Sequence, residues 1–344
     1  MGTEYHIALD VHVSFCEMAV ATTSGKIVAR NRCKTNIPAL VEIIENVKRP
    51  RKLAFEEGPL ADWLARNLSE HVKEVFVCEP RRNRLIAKDG DKDDDIDAEK
   101  LAQLYRGGYL KRVHQIGSLE RSLLKQHVAY YHHCVRERVR QGNQLVALLR
   151  RHGVFVPAAS LLEPQKLSES LSQLPKSMVL RNNVDQKLQM YRLLREQEVD
   201  NRRVLVQLAR REEVVRRFTE IPGVGWVRAI TFFVYVDTPH RFRTKSALWR
   251  YCGIGLKRKH SGKGPMRSQL DHLGNRRLKN LLLGAAKSAA SSKDSPYAVK
   301  YDQWRQKEHM HPSTAQRNVA RSIAATMLAL WKSGQGFDAS LVNN

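Results

Sequence analysis

Three short apolar runs between residues 6 and 79 constrain the chain most: HIALDV, KLAFEEG and EVFVCEP. Each is too short for a buried helix, carries β-branched or aromatic side chains, and runs into a carboxylate. Between them the pattern changes to helical spacing. Ile37 to Val47 reads as a helix, and LADWLARNLSEHV puts Leu60, Trp63, Leu64 and Leu68 on one stripe. IDAEKLAQLYRGG starts a further helix that Gly107 and Gly108 stop. HIALDVHVSFCEMAVAT alternates as a strand, and TSGKIVARN adds a Ser-Gly turn and a second strand. Strands and helices in this order predict an α/β layer fold.

The remainder predicts helices. Residues 119–152 read as one long basic helix with Leu124, Val128, Tyr131, Val135 and Leu145 on its apolar stripe, and residues 181–217 as a second, with Val184, Leu188, Tyr191 and Leu208. The stretch from Pro157 to Pro175 is expected to hold a loop and a short helix. Two long amphipathic helices joined in this way predict an antiparallel coiled-coil hairpin, which either carries a dimer contact or packs on its own chain as a linker. FTEIPGVGWVRAITFFV, then a basic Gly-rich stretch at 245–275, then LKNLLLGAAKSAASS and a last helix near Ser313–Lys332 complete the chain. The expected division is 1–118, 119–215 and 216–344.

The charge is divided just as unevenly. Residues 1–120 hold 19 Lys+Arg against 19 Asp+Glu, residues 121–210 hold 16 against 7, and residues 211–344 hold 24 against 9. The net +24 therefore lies wholly beyond residue 120, and a polyanion partner, DNA or RNA, is the simplest reason to keep such self-repulsion in a folded chain. No apolar run is long enough to span a membrane, and MGTEYHIALD lacks a signal-peptide layout, so a cytoplasmic protein is expected. The five cysteines are scattered and form no C-x-x-C pair, which argues against zinc ribbons and disulfide frameworks.

Three constellations carry candidate chemistry. Asp10 and Glu56 end two apolar strands, and Asp94 and Asp97 stand three apart at a helix start, hence on one face. Four converging carboxylates resist ionising together unless a cation neutralises them, and all-oxygen donors call for Mg²⁺ or Mn²⁺. Glu57 and a shifted register within Asp93–Asp95 are open alternatives, and each acid singly reads equally well as a cap or a solvated loop residue. IPGVG, with Gly223 and Gly225, is either a helix-hairpin-helix turn whose N–H groups approach a phosphate or an ordinary turn between helices. From Arg241 to Lys279 there are twelve Lys+Arg and one acid, Asp271. Lys257, Arg258, Lys259, Lys263, Arg267, Arg276 and Arg277 are the candidate phosphate contacts in and beside this stretch. Ser261, in KRKHSGKG, is either a nucleophile held among cations or an incidental loop residue.

Together these residues resemble the DEDD-type transposases of bacterial insertion sequences, the family numbered one hundred and ten, with its Piv-type invertase relatives. The resemblance is carried by IALD ending at Asp10, LAFEEG, DKDDDIDAEKLA, EIPGVG, SALWRYCGIGLKRKHSGKG, LGNRRLKNLLL and LWKSGQGFDAS. It implies an N-terminal ribonuclease-H-like (RuvC-like) domain, a coiled coil and a mainly helical C-terminal transposase domain. It implies metal-binding acids at Asp10, Glu56, Asp94 and Asp97 and a nucleophilic serine at Ser261. It further implies a covalent phosphoserine link to DNA, a structured guide RNA encoded by the element, and homodimers or homotetramers. Where the family shows Glu-Ala-Thr-Gly, this chain has Glu56-Glu57-Gly58-Pro59. The rival expectation is a junction-type, structure-specific nuclease that uses water as nucleophile.

Overall fold

The computed structural model describes residues 4–80, 94–259, 267–271 and 273–343. They fall into two compact units, Met1–Ser122 and Leu123–Asn344.

The first unit is built on a five-stranded sheet of strands β1 (Tyr5–Val11), β2 (Phe15–Thr22), β3 (Ile27–Lys34), β4 (Arg51–Glu56) and β5 (Glu74–Cys78), in the order β3-β2-β1-β4-β5. The meander β1-β2-β3 is antiparallel, whereas β4 and β5 run parallel to β1. The run expected as a single strand before the Ser-Gly turn is in fact two strands. The chain reverses over His12, Val13 and Ser14, where the His12 N–H donates to the Phe15 carbonyl at 3.0 Å and Val13 is exposed. That turn holds neither Gly nor Pro, so periodicity alone runs straight through it.

Strand alternation gives the sheet two unlike faces. Ile7, Leu9, Met18, Val20, Leu53 and Phe55 bury one face against helices α1 (Ile37–Glu45) and α2 (Ala61–Leu68). Ala8, Ala19, Ala21 and Ala54 line the other, where helix α3 (Asp94–Arg106) lies on them through Ala98, Leu101, Ala102 and Tyr105. The alanine-lined face lets that helix approach closely, and Gly107 and Gly108 end it, with Gly108 at φ +72°.

The second unit is helical. Helices α4 (Leu119–Arg150) and α6 (Met178–Arg211), with the short α5 (Pro164–Ser172) between them, pack antiparallel. Tyr130 meets Gln197, Gly142 faces the Tyr191 ring, and Lys187 meets Gln144. The far end of the hairpin has its own core of Leu145, Leu149, Leu180, Val184 and Leu188. Its root, through Val128, Tyr131, Leu205 and Ala209, belongs to the core of the C-terminal helices. Those helices are α7 (Glu213–Thr219), α8 (Trp226–Val236), α9 (Lys245–Tyr251), α10 (Arg276–Ala290), α11 (Pro296–Gln306), α12 (Pro312–Ser333) and α13 (Ser340–Asn343). Within the basic stretch, strands β6 (Leu256–Lys259) and β7 (Arg267–Leu270) pair antiparallel, Lys259 opposite Arg267.

Candidate catalytic carboxylates and nucleic-acid interface

The parallel register of β1 and β4 pairs Leu9 with Phe55, so Asp10 and Glu56 leave adjacent strands one residue further on, side by side. Alternation puts both on the alanine face, the face that α3 covers. Tyr105, near the end of α3, packs its ring 5.5 Å from His6 and donates to Glu74 at 3.3 Å, both at strand starts. The helix therefore runs back along β1, and its first turn, with Asp94 and Asp97, lies toward the strand ends that carry Asp10 and Glu56. Glu99 ion-pairs with Arg30, whose strand neighbour Ala19 pairs with Ala8. Glu99 is thus level with Ala8, and Asp97 lies further toward Asp10.

Asp10 is partly buried, at 28% side-chain exposure, with the His12 Nε2 2.9 Å from its Oδ2. His12 stacks on Phe15, with centroids 4.5 Å apart. Glu56 and Asp97 are exposed. The Glu57 N–H extends the ladder to the Cys78 carbonyl at 2.8 Å, so Glu57 alternates to the opposite face. A fifth acid sits beside them. Glu17 pairs with Asp10 across β1-β2 and is buried, but Arg32 holds it at 3.2 Å as its counter-ion. Its place was not legible in FCEMAV, because the turn that brings it there was not. Among the described residues no three His, Cys, Asp or Glu side chains are already gathered as a metal cluster. Asp10, Glu56 and Asp97 offer oxygen donors, which suit a hard divalent cation, and His12 beside Asp10 and the buried Cys78 opposite Glu56 share the face with them.

Ser261 and Lys263 lie outside the described residues, in the segment between β6 and β7. The stem beneath that segment is tightly fixed. A Cβ on Gly274 would sit 2.2 Å from the Gly253 Cα, so the two glycines are pressed together. The Asp271 N–H donates to the Gly255 carbonyl at 3.1 Å, and the Arg321 Nε to the Ile254 carbonyl at 2.7 Å. Lys257 is exposed on β6, Arg258 and Lys259 follow it in the strand, and Arg267 opens β7.

The two glycines of IPGVG do different work. Gly223 has φ +81°, and a Cβ there would lie 2.3 Å from the Ala285 carbonyl oxygen, so it seats the turn against α10. Gly225 is exposed, with nothing within 4 Å of an added Cβ, and is the N-cap of α8 with no side-chain cap. Its side of the turn opens on a cleft of about 860 Å³, also lined by Arg276 and Arg277 at the start of α10. Tyr131, Arg136, Arg202, Arg228 and Tyr235, none of which sequence reading singled out as part of a site, line it too, together with His132. They come from well-separated helices, so no spacing betrays them. His132 is pushed down to about 4 by burial, aided by Arg277 and Arg136, and its Nε2 lies 3.0 Å from the Thr231 hydroxyl.

Comparison with known families closes the question of kind. A model of DEDD transposases of the IS110 type matches residues 7–154, and the model described as the transposase IS116/IS110/IS902 family matches residues 215–303. No curated protein matches the chain. No helix among the described residues is long and apolar enough to cross a membrane. The two matched segments contain Asp10, Glu56 and Asp97 on the one hand and the IPGVG turn and basic hairpin on the other, and the chain belongs to the IS110-type DEDD transposases, enzymes that act on DNA.

Proposed function

We propose that this transposase cuts and rejoins DNA through a covalent bond to Ser261, assisted by a divalent cation and guided by a structured RNA. The observation that carries the reading is the pairing of Asp10 and Glu56 at adjacent strand ends beneath the acidic first turn of α3. The sheet order and the position of that helix suit a ribonuclease-H-like (RuvC-like) domain, followed by a coiled-coil hairpin and a C-terminal transposase domain. Asp10, Glu56, Asp94 and Asp97 would hold Mg²⁺ or Mn²⁺. Such a cation, when bound, would neutralise charge on the scissile phosphate. The Ser261 Oγ forms a bond to phosphorus as the P–O bond to one strand end breaks. The proton lost by the serine is matched by the one the departing hydroxyl gains, and attack by a new strand-end hydroxyl reverses the step. Lys257, Arg258, Lys259, Lys263 and Arg267 flank the serine in sequence and supply cations for the phosphate. Two or four subunits assemble on the DNA ends and target, in the bacterial cytoplasm.

The test is incubation of the protein with labelled element-end DNA, the element's RNA and Mg²⁺, followed by denaturing separation. A protein–DNA adduct is expected that needs RNA and metal and is lost in Ser261→Ala. Undiminished cutting by Ser261→Ala overturns the serine chemistry and leaves a nuclease that uses water.

A further inference from the structure

The cleft beside the IPGVG turn is a second place where nucleic acid can be held, and its lining differs from that of a surface that only touches duplex phosphates. Five arginines border it: Arg136 from α4, Arg202 from α6, Arg228 from α8, and Arg276 and Arg277 from α10. No carboxylate lines the cleft, and none of the five forms an ion pair among the described residues. Arg228 and Arg277 are about half-buried, and desolvation holds both below the usual guanidinium range. Arg228 donates to the Gly223 carbonyl at 2.6 Å and to the Ser288 hydroxyl at 3.1 Å, and Arg277 to the Tyr235 hydroxyl. Those neutral acceptors fix the two side chains without cancelling their charge. Keeping several cations close together and partly out of water is costly unless an anion completes the site.

Three large aromatic rings join the arginines, among aliphatic and neutral polar side chains. Trp226 and Tyr235 stand one and ten residues into α8 with Gly225 ahead of them, and Tyr131 adds a third ring. Cations already lie near two of these rings: Arg210 is 5.6 Å from the Trp226 centroid and Arg277 is 5.2 Å from that of Tyr235. A duplex offers phosphates on its outside and hides its base faces. A single strand offers both, and proteins that bind it combine a cationic groove with aromatic platforms worth about 1–3 kcal/mol per stacked base. A cavity of about 860 Å³ is in the range that encloses a small ligand, not a helix of DNA.

We propose that this cleft holds an unstacked nucleotide of a single-stranded segment, its phosphate among Arg136, Arg202, Arg228 and Arg277 and its base against Trp226 or Tyr235. The proposal deepens the reading of an RNA-guided recombinase and rests on it for the origin of the strand, which is either guide RNA or DNA opened from its duplex. Both share the phosphodiester and the base face. The uncapped first turn of α8 points the same way, since Gly225 leaves N–H groups there with no side-chain acceptor.

The experiment is photo-cross-linking of the full-length protein to short oligonucleotides carrying 5-iodouracil, in three arms: single-stranded DNA, single-stranded RNA and the matching blunt DNA duplex. The adduct is mapped by mass spectrometry. At least one single-stranded arm is expected to label Trp226 or Tyr235, and the arm that does so names the strand; the duplex is expected to leave both unlabelled. Arg136→Gln and Arg202→Gln, exposed and with no protein acceptor among the described residues, together are expected to cut that label about tenfold at fixed salt. They should also flatten the slope of log affinity against log salt by about 1.4 on the labelled strand. An unchanged melting temperature shows that the variant is folded. Labelling confined to other residues, equal labelling by the duplex, or indifference to the two arginines overturns the proposal. The Ser261 adduct is scored in parallel. If that adduct forms and the cleft is not labelled, only the cleft is refuted. If the cleft is labelled and no serine adduct forms, the recombinase reading fails and the binding site stands.

Discussion

Asp10, Glu56 and Glu57 show how a single residue step decides which face of the sheet a strand-end carboxylate takes. In a parallel ladder neighbouring strands present matched residues to the same face, so Asp10 and Glu56 share the α3 face and Glu57 turns to the other. Glu56→Gln is expected to lower strand joining by about 10²-fold or more, and Glu57→Gln by only about twofold, with the protein–DNA adduct as the assay. Equal losses would mean that the register does not select the ligand. His132 is a different kind of residue. Burial first, then Arg277 and Arg136, bring it down to about 4 in the folded chain, whereas it stays near 6.5 when unfolded. Its neutral form therefore contributes stability above about pH 6.5, and that contribution is lost as the pH falls toward 4. Between pH 7 and 5 the protein should lose on the order of 1–2 kcal/mol more than His132→Gln does, read from urea melts at the two pH values. A parallel fall in both would assign the acid sensitivity elsewhere.

At the scale of elements, the IPGVG turn sets a close approach against an open one. Gly223→Ala puts a methyl group 2.3 Å from the Ala285 carbonyl at a left-handed φ, and should cost about 3 kcal/mol. Gly225→Ala meets no atom within 4 Å at φ −83°, ψ 172°, and should cost under about 1 kcal/mol. Thermal melts of the pair check this, and similar losses would disprove the packing role given to Gly223. The same contrast explains what could be read from the chain beforehand. Strands that end in acids, the long helix at 119–150 and the Gly107-Gly108 stop all write themselves in local period and turn chemistry, whereas the helix expected over 181–217 ends at Arg211, and a separate helix, Glu213–Thr219, follows the extended Glu212. The reversal at His12–Ser14 does not write itself so, because it is made by backbone bonding without Gly or Pro. Nor does helix Pro296–Gln306, whose apolar residues make no clear stripe. That Asp10 and Glu56 come to lie on one face of the sheet was legible because each stands near the end of an apolar strand. The arginine cleft was not, because Arg136, Arg202 and Arg277 meet only through helix packing.

At the scale of the whole molecule, net charge is segregated along the chain. The unit Met1–Ser122 holds 20 Lys+Arg and 19 Asp+Glu, while Leu123–Asn344 holds 39 and 16. The three described candidate ligands, Asp10, Glu56 and Asp97, lie in the nearly neutral unit, and the counter-charge for a nucleic-acid backbone lies in the other. Affinity for DNA should then be set by counterion release from the basic unit and fall steeply with salt, in proportion to the phosphates neutralised. Removing the divalent cation, or combining Asp10→Asn with Glu56→Gln, would take away what the proposed chemical step requires while leaving those contacts in place. Element-end DNA is therefore expected to bind the double variant, or the wild type in EDTA, with a salt slope within about one unit of the Mg²⁺-loaded protein, while adduct formation disappears. Fluorescence anisotropy across a salt series, run beside the adduct assay, measures both quantities on one preparation. If chelation abolished binding and adduct together, the cation would be needed to seat the DNA, and the division of labour between the acidic strand ends and the basic helices would have to be abandoned.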